Sequence, residues 1–350
     1  MLTDLLALAS DTDFYLDDVM TPFWDREKLS AQLRPISFSD APEMTDIEER
    51  YCRYYRIDKE TRITGTTHRL GYFEALGFRL AMHVYSPPRP RGTVFVFHGY
   101  FDHVGLYGHM IEYLLREGYS VVAYDLPGHG LSSGEPVSIQ SFTQYQKVLE
   151  ACLEFCKGHV PEPWLAVGQS TGAAVLVDYL CSHRFSSETS PFRHWVLLAP
   201  LVRPLGWRSA LFLHTFLGPF LRTWKRVFMP NSHDNDFIRF LKEKDPLQSR
   251  AVSIDWVGAL RRWVKEIEAS DPLAHPVTII QGQDDTTVDW RHNIPQLQKL
   301  LPNADVKFLP EGRHQLVNES VPIRNQVFEW VAQAFNDALN DEQPIEAKPS

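Results

Sequence analysis

Cysteine is scarce in this chain: four among 350 residues, Cys52, Cys152, Cys156 and Cys181. Cys152 and Cys156 lie four apart on a helix-like stretch, and no pair has the C-x-x-C spacing of a zinc or redox site. That excludes a disulfide scaffold and points to buried thiols in a reducing compartment. A cationic N-terminal start is also lacking. No Lys or Arg precedes the apolar stretch of "MLTDLLALASDTDF", and acidic residues follow it, so a secretory signal is not expected. Long apolar runs are missing. The longest, "ALFLHTFLGPFL" from Ala210, holds a His, a Gly and a Pro and is too short to span a bilayer. Basic charge is not concentrated either. Lys and Arg number 35 against 44 Asp and Glu, a formal net charge of −9, and the basic residues are dispersed. An extended nucleic-acid footprint is therefore not expected. With no internal repeats either, these absences predict a soluble, cytoplasmic chain.

What is present is apolar bulk with a rhythm. Hydrophobic residues make up 44% and aromatics 12%, enough for one large α/β domain with an insertion or two modest domains. "HRLGYFEALGFRLAMHVYSP" predicts two strands around a Leu76-Gly77 turn. "TVFVFHG", "YSVVAYDLPGHG" and "PVTIIQGQDD" each carry a short apolar run, the mark of a strand buried on both faces, and "PWLAVGQS", "HWVLLAP" and "ADVKFLPEGRH" also read as strands. Helix-like stretches separate them, as in "LYGHMIEYLLREG", "FTQYQKVLEACLEFCKG" and "TGAAVLVDYLCSH". A further helix is expected from about His292 to Leu301, and a final one in "IRNQVFEWVAQAFNDAL". This alternation predicts an α/β fold: a mostly parallel, twisted sheet covered by helices on both faces.

The rhythm breaks from Leu201 to about Leu273, where the pattern reads as helical with no buried strand. The expected organisation is an N-terminal extension over 1–65, a core over 66–200 and 274–338, a helical insertion over 201–273, and a polar, disordered tail over 339–350. Ligands in such sheets bind at the carboxyl ends of the strands.

One of those ends carries "AVGQSTGAAVLVDYL", a serine between two glycines at a strand-to-helix junction. G-x-S-x-G alone is a weak pattern, but this context strengthens it. A sharp turn strains the residue at its tip, and Gly168 and Gly172 relieve crowding on either side of Ser170. The new helix supplies unpaired N–H groups beside the serine oxygen. A serine hydroxyl needs a general base, and the base needs an orienting acid. In chain order, "QGQDDTTV" offers Asp284 and Asp285 as acids, and "PEGRHQLVNE" offers His314 as the base, chosen among 14 histidines because it follows the last strand. Oxyanion donors are expected from the Thr171 N–H and from the loop "HGYF", where the Tyr100 N–H is preferred.

These residues resemble the α/β-hydrolase family, within it the monoacylglycerol lipase and lysophospholipase branch that includes serine aminopeptidase-like proteins. The likeness covers roughly residues 92–334. "HGYFDHVGLY" is similar to that branch's H-G-x-x-E/D-H-x-x-x-Y segment, and "YDLPGHGLSSGE" to its D-x-x-G-H-G-x-S segment. "GQSTG" fills the elbow, and "GQDDTTV" with "GRH" fills the acid and base positions. The resemblance puts the acid at Asp285 rather than Asp284, and implies loop-bracing roles for His98, His103, Asp125 and His129. It makes the 201–273 insertion a cap. The sequence departs from the branch at Gln169 and Thr171, where its lipases often carry His and Met.

The resulting expectation is a serine hydrolase of carboxylic esters, a monoacyl lipid, lysophospholipid or related acyl ester, with an acyl-enzyme intermediate. The triad would be Ser170, His314 and Asp285, with no metal or organic cofactor required. Amide hydrolysis and a non-catalytic ligand-binding role are the alternatives. Phe101, Trp207, Phe212, Phe216 and Trp224 are the candidates for lining the acyl site. The segment "LFLHTFLGPFLRTWKRVF" could instead rest against a membrane surface as a peripheral contact.

Overall fold

The protein is described here from a computed structural model covering residues 24–40, 43–218 and 220–340. The apolar N-terminal stretch and residues 341–350 of the expected tail lie outside the described residues.

Helices α1 (Arg26–Gln32) and α2 (Asp46–Tyr54) precede the sheet. Strands β1 (Thr67–Ala75) and β2 (Phe78–Ser86) then pair as an antiparallel hairpin. Leu76 and Gly77 form its two-residue turn, with φ of 52° and 78°. Two positive φ values match the right-handed twist of the strands, and the glycine adopts its share without strain. The alternating part follows: β3 (Thr93–Phe97), α3 (Gly108–Arg116), β4 (Ser120–Tyr124), α4 (Phe142–Cys156), β5 (Trp164–Gln169), α5 (Thr171–His183) and β6 (Trp195–Leu198). The chain next leaves the sheet for α6 (Trp207–Leu217), β7 (Thr223–Lys225), α7 (Asn235–Arg239), β8 (Ala251–Ser253) and α8 (Ile254–Glu268). It returns through β9 (Val277–Gly282), α9 (Trp290–Leu300), β10 (Ala304–Leu309) and α10 (Val321–Asn340).

The sheet has eight strands in the order β1-β2-β4-β3-β5-β6-β9-β10. Only β2 runs against its neighbours, and the pairings from β4 to β10 are all parallel. This is the α/β-hydrolase fold. Its physical basis is visible in β3. Phe95 and Phe97 enter one hydrophobic cluster while Val94 and Val96 enter another, one on each face. Helices α4, α5 and α8 cover the first face, and α3 and α10 the second. A strand buried on both sides must be apolar at every position, which is why these strands read as unbroken runs.

Two features differ from the sequence expectation or extend it. The insertion is not wholly helical: β7 and β8 pair antiparallel, with Trp224 opposite Val252. Three-residue strands separated by a long connection carry no periodicity that a sequence window can detect. The N-terminal extension, which carries no chemical motif, joins two parts of the molecule. Ile36 and Tyr72 are linked by the Ile36 N–H donating to the Tyr72 carbonyl, 2.9 Å. The Tyr55 hydroxyl donates to Asp245 Oδ1 in the insertion, 2.7 Å, and the Tyr54 hydroxyl to the Lys244 carbonyl, 2.6 Å. No helix among the described residues is long and apolar enough to cross a membrane.

Candidate active site

Ser170 sits between the last residue of β5 and the first of α5, with φ 55° and ψ −112°. An L-residue held there costs on the order of 1–3 kcal/mol and persists only where the surroundings over-determine it. Here three backbone bonds do so. The Ser170 N–H donates to the Leu198 carbonyl at 2.9 Å, and the Ser170 carbonyl accepts from Ala174 at 3.0 Å and Leu201 at 3.2 Å. Close packing explains the following glycine. A Cβ on Gly172 would lie 2.2 Å from the Phe97 carbonyl oxygen, so only a glycine lets α5 approach β3 this closely.

The carboxyl ends of β9 and β10 bring the other two groups. Gly282, the last residue of β9, has no positive φ; its hydrogen is required because the Gly312 carbonyl oxygen would be 2.2 Å from a Cβ. That close approach, with the Asp284 N–H donating to the Gly312 carbonyl at 3.0 Å, holds the two loops together. Asp285 is buried and Asp284 is exposed. Asp285 Oδ2 lies 2.8 Å from His314 Nδ1, and His314 Nε2 lies 2.9 Å from Ser170 Oγ. A carboxylate only accepts, so Nδ1 carries the proton and Nε2 of the neutral ring accepts from the serine hydroxyl. Asp285 Oδ1 also accepts from the Thr287 and Val288 N–H groups, at 2.7 and 3.1 Å, and Oδ2 from Gln281 Nε2 at 3.2 Å.

Electrostatics separate His314 from the buried His98 and His129. Burial alone would push its imidazole down. The charge and hydrogen bond of Asp285, with a smaller contribution from Asp102, outweigh burial and hold it above the usual histidine range. Burial likewise pushes the Asp285 carboxyl up, but His314 and the two backbone N–H groups hold it below the usual carboxylate range. The buried His98 and His129 lack such a partner, and desolvation takes them down, His129 to about 4. They brace loops instead. His98 Nε2 accepts from the Leu126 N–H at 2.9 Å, and Asp125 accepts from Val104 and Leu131 at 2.7 and 2.8 Å. His103 Nε2 donates to Asp245 Oδ2, 3.1 Å, tying the loop after β3 to the insertion.

The remaining candidates are spread over the surrounding elements. A Cβ on Gly99 would be 3.3 Å from the Ser170 Cβ, so the loop bearing Tyr100 adjoins the serine. The Tyr100 ring stacks on Trp256 of α8, centroids 3.8 Å apart, and its hydroxyl donates to the Val137 carbonyl at 2.8 Å. Phe101 has φ 73° and lies under the Arg226 guanidinium, 3.8 Å from ring centroid. Trp224 is half-buried against the core, whereas Phe212 and Phe216 are exposed on α6, centroids 4.5 Å apart. Trp207, the first residue of α6, is packed into the core, 8% exposed.

Four polar residues absent from the sequence-derived site surround it. Gln169 Nε2 donates to Gln315 Oε1 at 2.7 Å, and Gln169 Oε1 accepts from the Val317 N–H at 3.1 Å. Gln315 Nε2 lies 2.9 Å from both oxygens of the buried Asp102. The Tyr107 hydroxyl donates to Asp102 Oδ2 and accepts from the Gly99 N–H, each 3.1 Å. Asp102 and Tyr107 both fall in the "HGYFDHVGLY" segment, so their positions carried a signal; Gln315 carried none beyond standing next to His314. Among the described residues, no group of three or more His, Cys, Asp or Glu could hold a metal ion.

Comparison with known proteins agrees with this architecture. A family model described as serine aminopeptidase, S33, matches residues 88–321. Phospholipase YtpA of Bacillus subtilis is 24% identical over 73% of this chain and 99% of its own length. Human monoglyceride lipase is 24% identical over 85% of this chain and 92% of its own. Among solved structures, a soluble variant of Saccharomyces cerevisiae monoglyceride lipase in complex with a substrate analogue superposes with a TM-score of 0.66 at 18% identity. It covers 79% of this chain and 96% of that one. The chain belongs to the serine aminopeptidase S33 family and is a hydrolase of the α/β-hydrolase fold.

Proposed function

We propose that the protein hydrolyses carboxylic esters of monoacyl lipids through Ser170, His314 and Asp285. The observation that carries this reading is the continuous hydrogen-bonded line from Asp285 through His314 to a serine held at positive φ in the strand-to-helix turn. In this reading Ser170 Oγ attacks the acyl carbon while His314 Nε2 takes its proton. The oxyanion so formed accepts from the Thr171 N–H, which opens α5 and has no intrahelical acceptor, and from the Tyr100 N–H. The C–O bond to the leaving alcohol then breaks as His314 returns the proton to that oxygen. Water, deprotonated by His314, cleaves the acyl-enzyme and restores the serine. Asp285 keeps the proton on Nδ1 throughout and stabilises the imidazolium.

Monoacyl lipid as the substrate class is supported by the names of several relatives, among them monoglyceride lipases and a phospholipase. An acyl chain would lie beneath residues 201–273, acting as a cap, with Phe101, Trp224, Phe212 and Phe216 the side chains available to it. The same aromatic pair could rest against a lipid surface. Amide hydrolysis is the second reading, favoured by the description of the family model. A purified-protein panel of monoacylglycerols, lysophospholipids, p-nitrophenyl esters and aminoacyl-anilides, run beside fluorophosphonate labelling, tests both. We expect ester turnover and labelling that Ser170→Ala abolishes, with kcat lowered about 10⁴-fold or more. Labelling of the alanine variant at the parent level would remove Ser170 from the reaction, and anilide turnover exceeding ester turnover would favour the second reading.

A further inference from the structure

The elbow, the base loop and the loop after β3 each have their own element, yet one buried polar chain ties all three together. Its centre is Asp102, 4% exposed, on which Gln315 Nε2 and the Tyr107 hydroxyl converge. Gln315 adjoins His314 and also binds Gln169, which adjoins Ser170. Tyr107 passes the link to the Gly99 N–H, one residue before Tyr100. A buried carboxylate held by two donors, one of them shared between both its oxygens, rigidifies what it joins, and leaving any member unpaired would be costly.

We propose that Asp102 is a second positioning carboxylate of this site, holding the loop after β3 through Tyr107 and the base loop through Gln315, and stabilising the His314 imidazolium by its charge. This rests on the reading of Ser170 and His314 given above. It adds to it a division of labour between two carboxylates. Asp285 fixes the tautomer by direct contact, and Asp102 acts through its charge and its bonds to the neighbouring Gln315.

The charges around the pair are few. His314 faces Asp285 and Asp102, and Asp102 faces His314 and His103. Arg226, in the insertion, lies within electrostatic reach of Asp102. Burial holds the Asp102 carboxyl above the usual carboxylate range against the opposing pull of Gln315, His314 and Tyr107, and its negative charge raises the His314 imidazole. The base must be neutral to accept the serine proton. Removing the Asp102 charge therefore moves the rising limb of the pH profile to lower pH, and lowers the plateau because the imidazolium formed in the transition state loses support.

The test is a set of kcat and kcat/KM pH profiles with p-nitrophenyl butyrate, after fluorophosphonate labelling has established the parent site. We expect Asp102→Asn to shift the limb about one pH unit to acid and lower kcat about tenfold. Asp102→Glu, which keeps the charge, should restore the limb. Tyr107→Phe cuts the tie to Gly99 but leaves the charge; it should lower kcat about tenfold with the limb unmoved. A folded Asp102→Asn protein whose limb stays at the parent pH overturns the proposal. If Asp102→Asn does not fold, parent-level kcat in Tyr107→Phe overturns it, and a tenfold loss there supports it. A parent protein that is not labelled and not active removes the reading of Ser170, and this inference with it.

Discussion

Replacing Asp285 with Asn tests the site through the geometry of a single amide. Oδ1 of Asp285 accepts two backbone N–H groups, from Thr287 and Val288, whereas Oδ2 accepts from His314 Nδ1 and, more distantly, Gln281 Nε2. An asparagine has one accepting and one donating end. Turning its NH₂ toward Thr287 and Val288 would strand two N–H donors, at about 1–3 kcal/mol each. The oxygen should therefore take the Oδ1 place, leaving the NH₂ to face His314. A donor there turns Nδ1 into an acceptor and moves the ring proton to Nε2, where it meets the Ser170 hydroxyl instead of accepting from it. The wrong tautomer costs up to about 10⁴ in kcat, or about 5.5 kcal/mol of barrier. Asp284 is exposed and its side chain makes no part of this line, so Asp284→Asn should stay within about tenfold of the parent. The assay is kcat at saturating p-nitrophenyl ester for both variants, with folding checked by circular dichroism. Activity of Asp285→Asn within tenfold of the parent would refute the reasoning, as would a large loss confined to Asp284→Asn.

Other outcomes follow from the same geometry. Because His314 is held above the usual histidine range, kcat/KM should rise with pH through one ionisation above about 6.5, and a limb centred well below that value would contradict it. Gly172→Ala should cost about 3 kcal/mol or more, read as a lower urea midpoint, since its Cβ meets unyielding backbone; an unchanged midpoint would show that α5 can move away. Trimming Phe212 and Phe216 together to Ala should leave stability nearly unchanged, as both are exposed. If they hold the acyl chain, kcat/KM for dodecanoyl relative to butanoyl esters should fall about tenfold, and an unchanged ratio would place the chain elsewhere. Trp207→Ala should instead act on stability, costing about 3–5 kcal/mol from its core position, with the denaturation midpoint as the measure.

Much of the fold was legible because its determinants are local. Doubly buried strands must be apolar throughout, and the helices between them must bury one face, so β3, β4, β5, β6 and β9 read directly from runs of four to six residues. The helix "TGAAVLVDYLCSH" coincides with α5, Thr171–His183. What sequence windows did not register was pairing at a distance: the β7–β8 ribbon inside the insertion, and the docking of Tyr54 and Tyr55 on residues 190 positions away.

The candidate site divides in the same way. By itself the sequence determined the strand-to-helix turn at Ser170, the place of His314 after the last strand, and two adjacent aspartates, between which the family resemblance chose Asp285. These depend on steric rules between neighbours along the chain. Only the tertiary structure shows Asp285 buried against the imidazole, Gly282 in close approach to Gly312, and Trp207 packed into the core. It alone joined Gln169, Gln315 and Asp102, which are 146 and 213 residues apart along the two bonds that link them. A hydrogen bond across such separations leaves no periodic or compositional trace, because its partners become neighbours only once the sheet is closed and its loops meet at one edge.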